Sequence, residues 1–426
     1  MRRPLLIIFI IILFMSFFIT NMEINKHSEK NQFIKIEGLV KNKVRKEKYN
    51  QYYISDYVIN DYSKKINIKP GDIVEVSGKF KYYKELKFED FNYGRYLKSN
   101  GYEGTIDIKS YRILNKNVIY SNIFKFKERI SKSIKYLYKD KSKFINSILI
   151  GEKENIDKET KEIFSKTGVS HILALSGLHV SILITIIGYS IGGINSFYKF
   201  ILISIILCVY SIMVGQSPSI VRAIYCSLIS YMGIFIFKRP DGISSLSFIG
   251  TILLINNPYI IYNMSFQLSF LATLSIIYFY GYINSKIKIK LIALTISANI
   301  LTLPIIYLYF KNISLISIIS NIVVVPFLSI IIYISILSAI ILPISLTLSK
   351  IMVIINSLII DFINQTLEML YNLKFSYIEF DEVNKLFVIT YYILVGIYMI
   401  YKEIKTIKEQ ENELQGYHQK HEQQRI

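Results

Sequence analysis

Hydrophobic and polar positions divide the chain into a mixed N-terminal part and an almost uniformly apolar remainder. Residues 5–19 form a nearly unbroken apolar run behind Arg2 and Arg3, which predicts an uncleaved membrane anchor over residues 1–20. From 169 to 401, apolar runs of about 20 residues follow one another, and this length crosses the hydrocarbon core of a bilayer. Nine further spans are predicted near 170–192, 200–215, 220–237, 243–256, 260–281, 289–310, 313–342, 346–371 and 386–401.

One of these runs is longer than a single crossing needs. The run 313–342 contains Asn321 and Pro326. Irregular backbone at membrane depth is tolerated where it is buried in protein or lines a cavity. A bent or re-entrant element is therefore expected there.

Between the anchor and the second span the pattern changes to short alternating segments. Residues 32–40, 51–59 and 73–80 are apolar largely at alternate positions, with a Pro70-Gly71-Asp72 turn before the last of them. Short strands separated by turns predict a small β domain of the OB-fold type over 21–120. Residues 121–168 carry an apolar stripe among many Lys and Glu residues, which predicts an amphipathic helical connector.

Charge at the span ends orients the chain. Cations at 2–3, 199, 238–239, 286–290 and 402–408 share one side of the predicted bundle. Because cytoplasmic loops are enriched in Lys and Arg, both termini are expected in the cytoplasm, including the tail 402–426. The segment 21–169 is then expected outside a cytoplasmic membrane.

The composition of the chain indicates a polyanionic partner. The chain has a formal charge of +19 and is 52% hydrophobic. Residues 21–169 hold 32 Lys/Arg and 20 Asp/Glu, a net +12. Such an excess suits nucleic acid or an anionic bilayer surface equally. Cys208 and Cys226 both lie in apolar runs, so neither a disulfide nor a thiolate metal site is expected.

The start of the second span carries most of the candidate chemistry. His171, Ser176, Gly177 and His179 lie within twelve residues of one another. In one continuous helix His179 would lie about 12 Å below His171, near mid-bilayer. Polar groups at that depth face a transport path or join helices by hydrogen bonds. A Ser/His hydrolase is a third interpretation, although no oxyanion arrangement is visible.

Five pieces in chain order resemble the ComEC family of competence proteins. Residues 168–179 follow the pattern G-x-S-H-x-x-A-x-S-G-x-H, and residues 215–223 follow G-x-S-x-S-x-x-R-A. Further matches are Lys238-Arg239-Pro240-Asp241, Asn257-Pro258 with Phe266-Gln267-Leu268-Ser269-Phe270, and Leu303-Pro304 with Asn321 and Pro326. The resemblance implies a ten-span membrane protein with an OB-like extracytoplasmic domain that imports single-stranded DNA.

The resemblance and the polar residues together define candidate sites. The candidates for the lining of a path are His171, Ser176, Gly177, His179, Gln216, Ser217, Arg222, Asn263, Gln267, Ser269, Asn299 and Asn321. Arg222 could meet a phosphate or only snorkel to the interface. Cations interleaved with aromatic rings in the β domain suit single strands. These DNA-binding candidates are Lys79, Lys81, Tyr82, Tyr83 and Lys84.

The sequence predicts a passive channel component rather than an enzyme. Larger members of the family carry a metallo-β-lactamase-like domain, whereas this chain ends 25 residues after its last predicted span and has no H-x-H-x-D-H string or phosphate loop. No metal or cofactor is therefore expected, and a separate nuclease and an ATP-driven motor are expected partners, with a homo-oligomer also possible. A secondary transporter of a small anionic solute and a non-transporting scaffold are the alternatives.

Overall fold

A computed structural model describes residues 3–24, 32–86, 92–193, 195–235 and 241–423. The predicted turn at 238–240 lies outside these residues. The helices are α1 Pro4–Ile24, α2 Tyr93–Ser99, α3 Val118–Tyr138, α4 Ser142–Ile150, α5 Lys158–Lys166, α6 Ser170–Leu173, α7 Gly177–Ser190, α8 Ser196–Val214, α9 Pro218–Phe235, α10 Gly242–Asn256, α11 Met264–Ile287, α12 Lys290–Phe310, α13 Ser317–Ile341, α14 Leu346–Tyr371 and α15 Lys385–Gln423. The strands are β1 Phe33–Arg45, β2 Asn50–Ile54, β3 Tyr57–Asp61, β4 Asp72–Tyr82, β5 Gly104–Lys116, β6 Asn312–Ser314 and β7 Tyr377–Glu379.

The first five strands close into a barrel in the order β1-β2-β3-β5-β4. All pairs are antiparallel except β3 with β5, which is parallel. Along β4, Val74 and Val76 point into the core while their neighbours are half-buried, the period of two that the sequence shows. Tyr52, Ile54 and other buried side chains fill the interior. The prediction of a small OB-like β domain is confirmed.

The chain forms two compact units. The first contains residues 1–270 and 314–376, and the second contains 271–313 and 377–426. In the second unit α12 and α15 are joined by Tyr391 and Tyr392, whose hydroxyls donate to the carbonyl oxygens of Ile300 and Leu301 at 2.8 and 2.7 Å.

The helices form a polytopic membrane protein, as predicted. Within the described residues, seven helices are long and apolar enough to cross a bilayer: α1, α8, α11, α12, α13, α14 and α15. The other three predicted spans coincide with α7, α9 and α10, which have 14, 18 and 15 residues. The run 313–342 forms one continuous helix, α13, with Pro326 inside it. Of the bent or re-entrant element predicted there, the re-entrant form is therefore not observed.

The irregular backbone lies instead at the second span. Its residues form the four-residue helix α6, an extended segment at 174–176, and then α7. The prediction of one continuous helix over 170–192 is wrong. The break has little local signal, because Ala174 and Leu175 continue the apolar run that leads into it.

The connector helices share a hydrophobic core with the bundle. Ile134 and Leu137 of α3 pack in one cluster with Ile148 of α4, Leu328 of α13 and Ile363 of α14. Lys141, just after α3, pairs with Asp361 of α14 at 2.5 Å. Residues 121–168 therefore belong to the packed helical core as well as linking it to the barrel.

Candidate functional site

The start of α7 is the centre of the candidate site. Ser176, its N-cap residue, is fully extended with φ −136° and ψ 178°. The first N–H groups of any α-helix have no intrahelical acceptor, and aligned peptide dipoles place about half a positive charge there. The break at 174–176 therefore turns the middle of a predicted span into a helix N-terminus that favours anions.

His179 holds this helix start in place. Its Nδ1 accepts a hydrogen bond from the backbone N–H of Ser176 at 3.2 Å and lies 3.2 Å from the Ser176 hydroxyl. Because a backbone N–H can only donate, Nδ1 must be unprotonated, and a neutral ring carries its proton on Nε2. The pair takes the place of the Ser-x-x-Glu/Gln capping box. His179 is 1% exposed, so it positions α7. The prediction that it lines an open path is therefore corrected.

Arg222 of α9 approaches the same helix start. A Cβ built on Gly177 would lie 3.4 Å from its Nη2, so the guanidinium lies next to the first residue of α7. Its Nε donates to the hydroxyl of Ser269 on α11 at 2.7 Å, and Ser269 lies 3.3 Å from the hydroxyl of Ser219. Three helices therefore converge on the guanidinium, whose partners are the Ser269 hydroxyl, the Cys226 thiol and the backbone at Gly177.

The electrostatics of this arrangement favour the binding of an anion. The half-buried Arg222 forms no ion pair with any carboxylate in the described parts of the chain. Its charge lies beside the positive end of α7, so two like-signed groups converge and no described residue supplies a counter-charge. A phosphate or carboxylate oxygen would satisfy both, through charge-assisted hydrogen bonds to the guanidinium and through the helix N–H groups.

Other predicted residues lie near the starts of the helices that form this site but, among the described residues, form no hydrogen bond with Arg222 or Ser176. Gln216 is exposed, and Ser217 caps α9 by accepting from Ile220 N–H at 3.4 Å. Gln267 donates to the Ile261 carbonyl at 2.7 Å. These contacts fix the starts of the helices that carry Arg222 and Ser269.

Three predicted residues form no hydrogen bond with the site in the described structure. His171 is exposed on α6 and interacts with His179 only electrostatically. Asn321 is buried on α13, with its side-chain oxygen unbonded among the described residues. Asn299 lies half-buried on α12, in the second unit.

Asn263 and Tyr83 serve to dock the barrel on the bundle. Asn263, 6% exposed, donates to the Asn100 side chain at 3.2 Å and caps α11. Tyr83, 3% exposed, shares a hydrogen bond of 3.0 Å with the hydroxyl of Tyr259. The prediction that Asn263 lines a path and that Tyr83 stacks on bases is corrected, because both side chains are buried in this contact.

The remaining barrel candidates stay open to solvent. Lys79 is exposed and Tyr82 half-buried, with Lys84 Nζ 5.9 Å from the Tyr82 ring centre. Lys81 pairs with Asp107 at 2.7 Å, and this hydrogen bond raises the pKa of Lys81 above its ordinary value. Lys79 and Tyr82 therefore remain the accessible part of the predicted DNA-binding set.

Two contacts in and around the site escaped the sequence analysis. Ser219 joins Arg222 through Ser269, and Lys141 joins Asp361 across 220 positions of sequence. Ser219 could have been found, since it stands three residues before Arg222 on the same helix face. The Lys141 pairing has no local signal.

The fold and the site thus define a multi-pass membrane protein. It has a small β-barrel and, inside its helical bundle, a helix start that favours anions. The sequence profile of the family described as Competence protein matches residues 148–405. Since that is more than half of the chain, the protein belongs to the competence protein family, as the ComEC-like motifs predict.

Two curated proteins are similar to parts of the chain. ComE operon protein 3 of Bacillus subtilis (strain 168) is 29% identical over 268 residues, which are 61% of this chain and 34% of that protein. An uncharacterized protein of Aquifex aeolicus (strain VF5) is 32% identical over 133 residues, 31% of this chain and 32% of that protein. The matches thus span about a third of each relative. No solved structure matches the chain.

Proposed function

We propose that the chain is a passive channel component that passes single-stranded DNA across the cytoplasmic membrane in natural transformation. Arg222 carries the proposal, because it stands at the N-terminus of α7 without a carboxylate partner in the described structure. A strand of phosphates supplies such counter-charges one after another. The description of the family as Competence protein supports the same role, and the name of the Bacillus relative places that protein in the ComE operon.

The experiment is uptake of labelled DNA by a strain that lacks the gene. Return of the wild-type gene should restore nuclease-resistant internal label, and Arg222→Gln should not. A transporter of a small anionic solute would use the same anion site. Two results together would favour that alternative: proteoliposomes that contain the chain transport a small anion, and cells that lack the gene import DNA normally. Normal DNA import by those cells without anion transport by the proteoliposomes would favour a scaffold.

The orientation of the proposed channel is testable by labelling. Ser63 lies exposed just after strand β3 of the barrel, and Ser285 lies exposed near the end of α11. In a Cys208→Ala/Cys226→Ala background, we expect an impermeant thiol reagent added from outside to label Ser63→Cys and to spare Ser285→Cys until the membrane is opened. The reverse pattern would place the barrel in the cytoplasm and contradict a DNA-receiving role for it.

We further propose that cutting and pulling of DNA belong to separate proteins, a nuclease and a cytoplasmic ATP-driven motor. Purified chain should then neither digest DNA with Mg²⁺, Mn²⁺ or Zn²⁺ present nor hydrolyse ATP. Digestion that co-purifies with the chain and is lost on substitution of one of its own residues would contradict this division of labour. Mass measurement in detergent would show whether the channel is a homo-oligomer.

A further inference from the structure

The exposed face of α3 carries a row of cations that no motif identified. Four of them lie on one face of α3 at a spacing of three or four residues, and the fifth follows at the C-cap of the helix; we name this set the basic stripe. The basic stripe consists of Lys125, Arg129, Lys132, Lys135 and Lys139, all exposed. From Lys125 to Lys135 it extends about 15 Å along the helix axis, and Lys139 lies just beyond the helix end. Only Lys132 has an ion-pair partner in the described structure, the exposed Glu128 at 2.8 Å.

The C-terminal end of α3 reaches deep into the bundle. The hydroxyl of Tyr138 lies 3.0 Å from that of Ser338 on α13 and accepts a 3.0 Å bond from the Asn356 side chain on α14. Asn356 lies ten residues into α14, about 15 Å from its start. The C-terminal end of α3 therefore lies against α13 three residues before its end and against α14 ten residues after its start. Cations beside spanning helices must face water rather than lipid.

A polar cavity of about 320 Å³ lies where the basic stripe ends. It is lined by Lys135, Lys139, Ser142, Lys143, Asn146 and Asn155. The side-chain oxygen of Asn146 is buried, and no described group bonds it. Lys139 itself adopts φ 48° and ψ −117°, a backbone conformation that costs energy in a residue with a Cβ. An unbonded polar atom and a strained lysine therefore line one open cavity at the end of the basic stripe.

Two aromatic rings accompany the basic stripe. Phe126 is 54% exposed and Tyr136 is 62% exposed. Proteins that bind single strands combine cations that track the phosphates with rings on which bases stack. An interfacial amphipathic helix would instead bury its apolar face in the bilayer, but here Ile134 and Leu137 of that face are buried in the protein core. These contacts favour nucleic acid over lipid headgroups.

We propose that α3 is a track for single-stranded nucleic acid, with phosphates on the basic stripe, bases on Phe126 and Tyr136, and the cavity at Lys139 and Lys143 at its inner end. The identity of the strand as imported DNA rests on the proposed function. The track itself is a second DNA-contacting surface, separate from the barrel residues and from Arg222.

The test is binding of fluorescent oligothymidylate to the full chain in nanodiscs at several salt concentrations. A variant with Lys125→Gln, Arg129→Gln, Lys135→Gln and Lys139→Gln should bind at least tenfold more weakly. Its slope of log affinity against log salt should fall by about 2–3, since each lost phosphate contact removes about 0.7. The control changes four exposed lysines elsewhere, Lys48, Lys65, Lys158 and Lys161, to Gln, and should keep affinity within twofold.

A separate variant tests the rings. Phe126→Ala with Tyr136→Ala should weaken binding at least fivefold without changing the salt slope, because stacking does not release counterions. Unchanged affinity in this variant would remove the rings from the track.

The outcomes separate the track from the proposed function. Equal loss in the basic-stripe and control variants would mean that net charge alone matters, and would overturn the track. Equal binding by wild type and the basic-stripe variant would do the same while leaving the proposed function standing. No binding by wild type would overturn both. The difference should persist in neutral and anionic lipid, and its disappearance in anionic nanodiscs would assign the basic stripe to lipid headgroups.

Discussion

Arg222→Gln should lower DNA uptake at least tenfold while the amount of protein in the membrane stays unchanged. A charge-assisted hydrogen bond contributes about 1.5–3 kcal/mol, which corresponds to about 10–100-fold in affinity. Gln can still bond the Ser269 hydroxyl, so the packing of α9 against α11 is kept. Removal of a cation beside the positive end of α7 should not lower the melting temperature.

Two further variants sharpen this test. Arg222→Lys keeps the charge but loses the planar fork that can bond phosphate twice, so we expect uptake between that of wild type and Arg222→Gln. Lys350→Gln removes an exposed cation of α14 and should leave uptake normal. Normal uptake by Arg222→Gln would refute the anion site, and a parallel fall of uptake and protein level would make Arg222 structural.

The spans and the barrel were predictable because their signals are local. A spanning helix needs only a long apolar run, and a barrel strand shows its period of two over a few residues. Loop charges then suggested an orientation. The strand order and the parallel pairing of β3 with β5 were implied only by the resemblance, since strand partners far apart in sequence leave no local pattern.

The arrangement of the site was less predictable. The break before α7 falls among apolar residues, and Ala174 is extended although nothing local demands it. A Ser-x-x-His spacing was visible, but His is not the usual partner in a capping box. The bond of Arg222 to Ser269 joins positions 47 residues apart. Tyr83 and Asn263 likewise found their partners through docking of the barrel on the segment around Tyr259, which one sequence cannot show.

His179→Leu should abolish DNA uptake, whereas His179→Gln should keep it within about threefold of wild type. Leu offers no acceptor to the Ser176 backbone N–H, so the helix start loses a cap worth about 1 kcal/mol and leaves a half-buried donor unbonded at a further cost of about 1–3 kcal/mol. The first turn of α7 then loosens, and the N–H groups that face Arg222 lose their alignment. Gln is the ordinary capping-box residue at this position and can accept the same bond.

The paired variants distinguish positioning from direct participation, with uptake, protein level and melting temperature measured together. We expect His179→Leu to melt a few degrees lower but to reach the membrane in normal amounts, because an apolar residue is favoured in a spanning segment. Ser176→Ala, which keeps the backbone N–H, should have an intermediate effect. If His179→Gln failed as completely as His179→Leu with an unchanged melting temperature, the imidazole itself would be required, and the capping role would not account for this histidine.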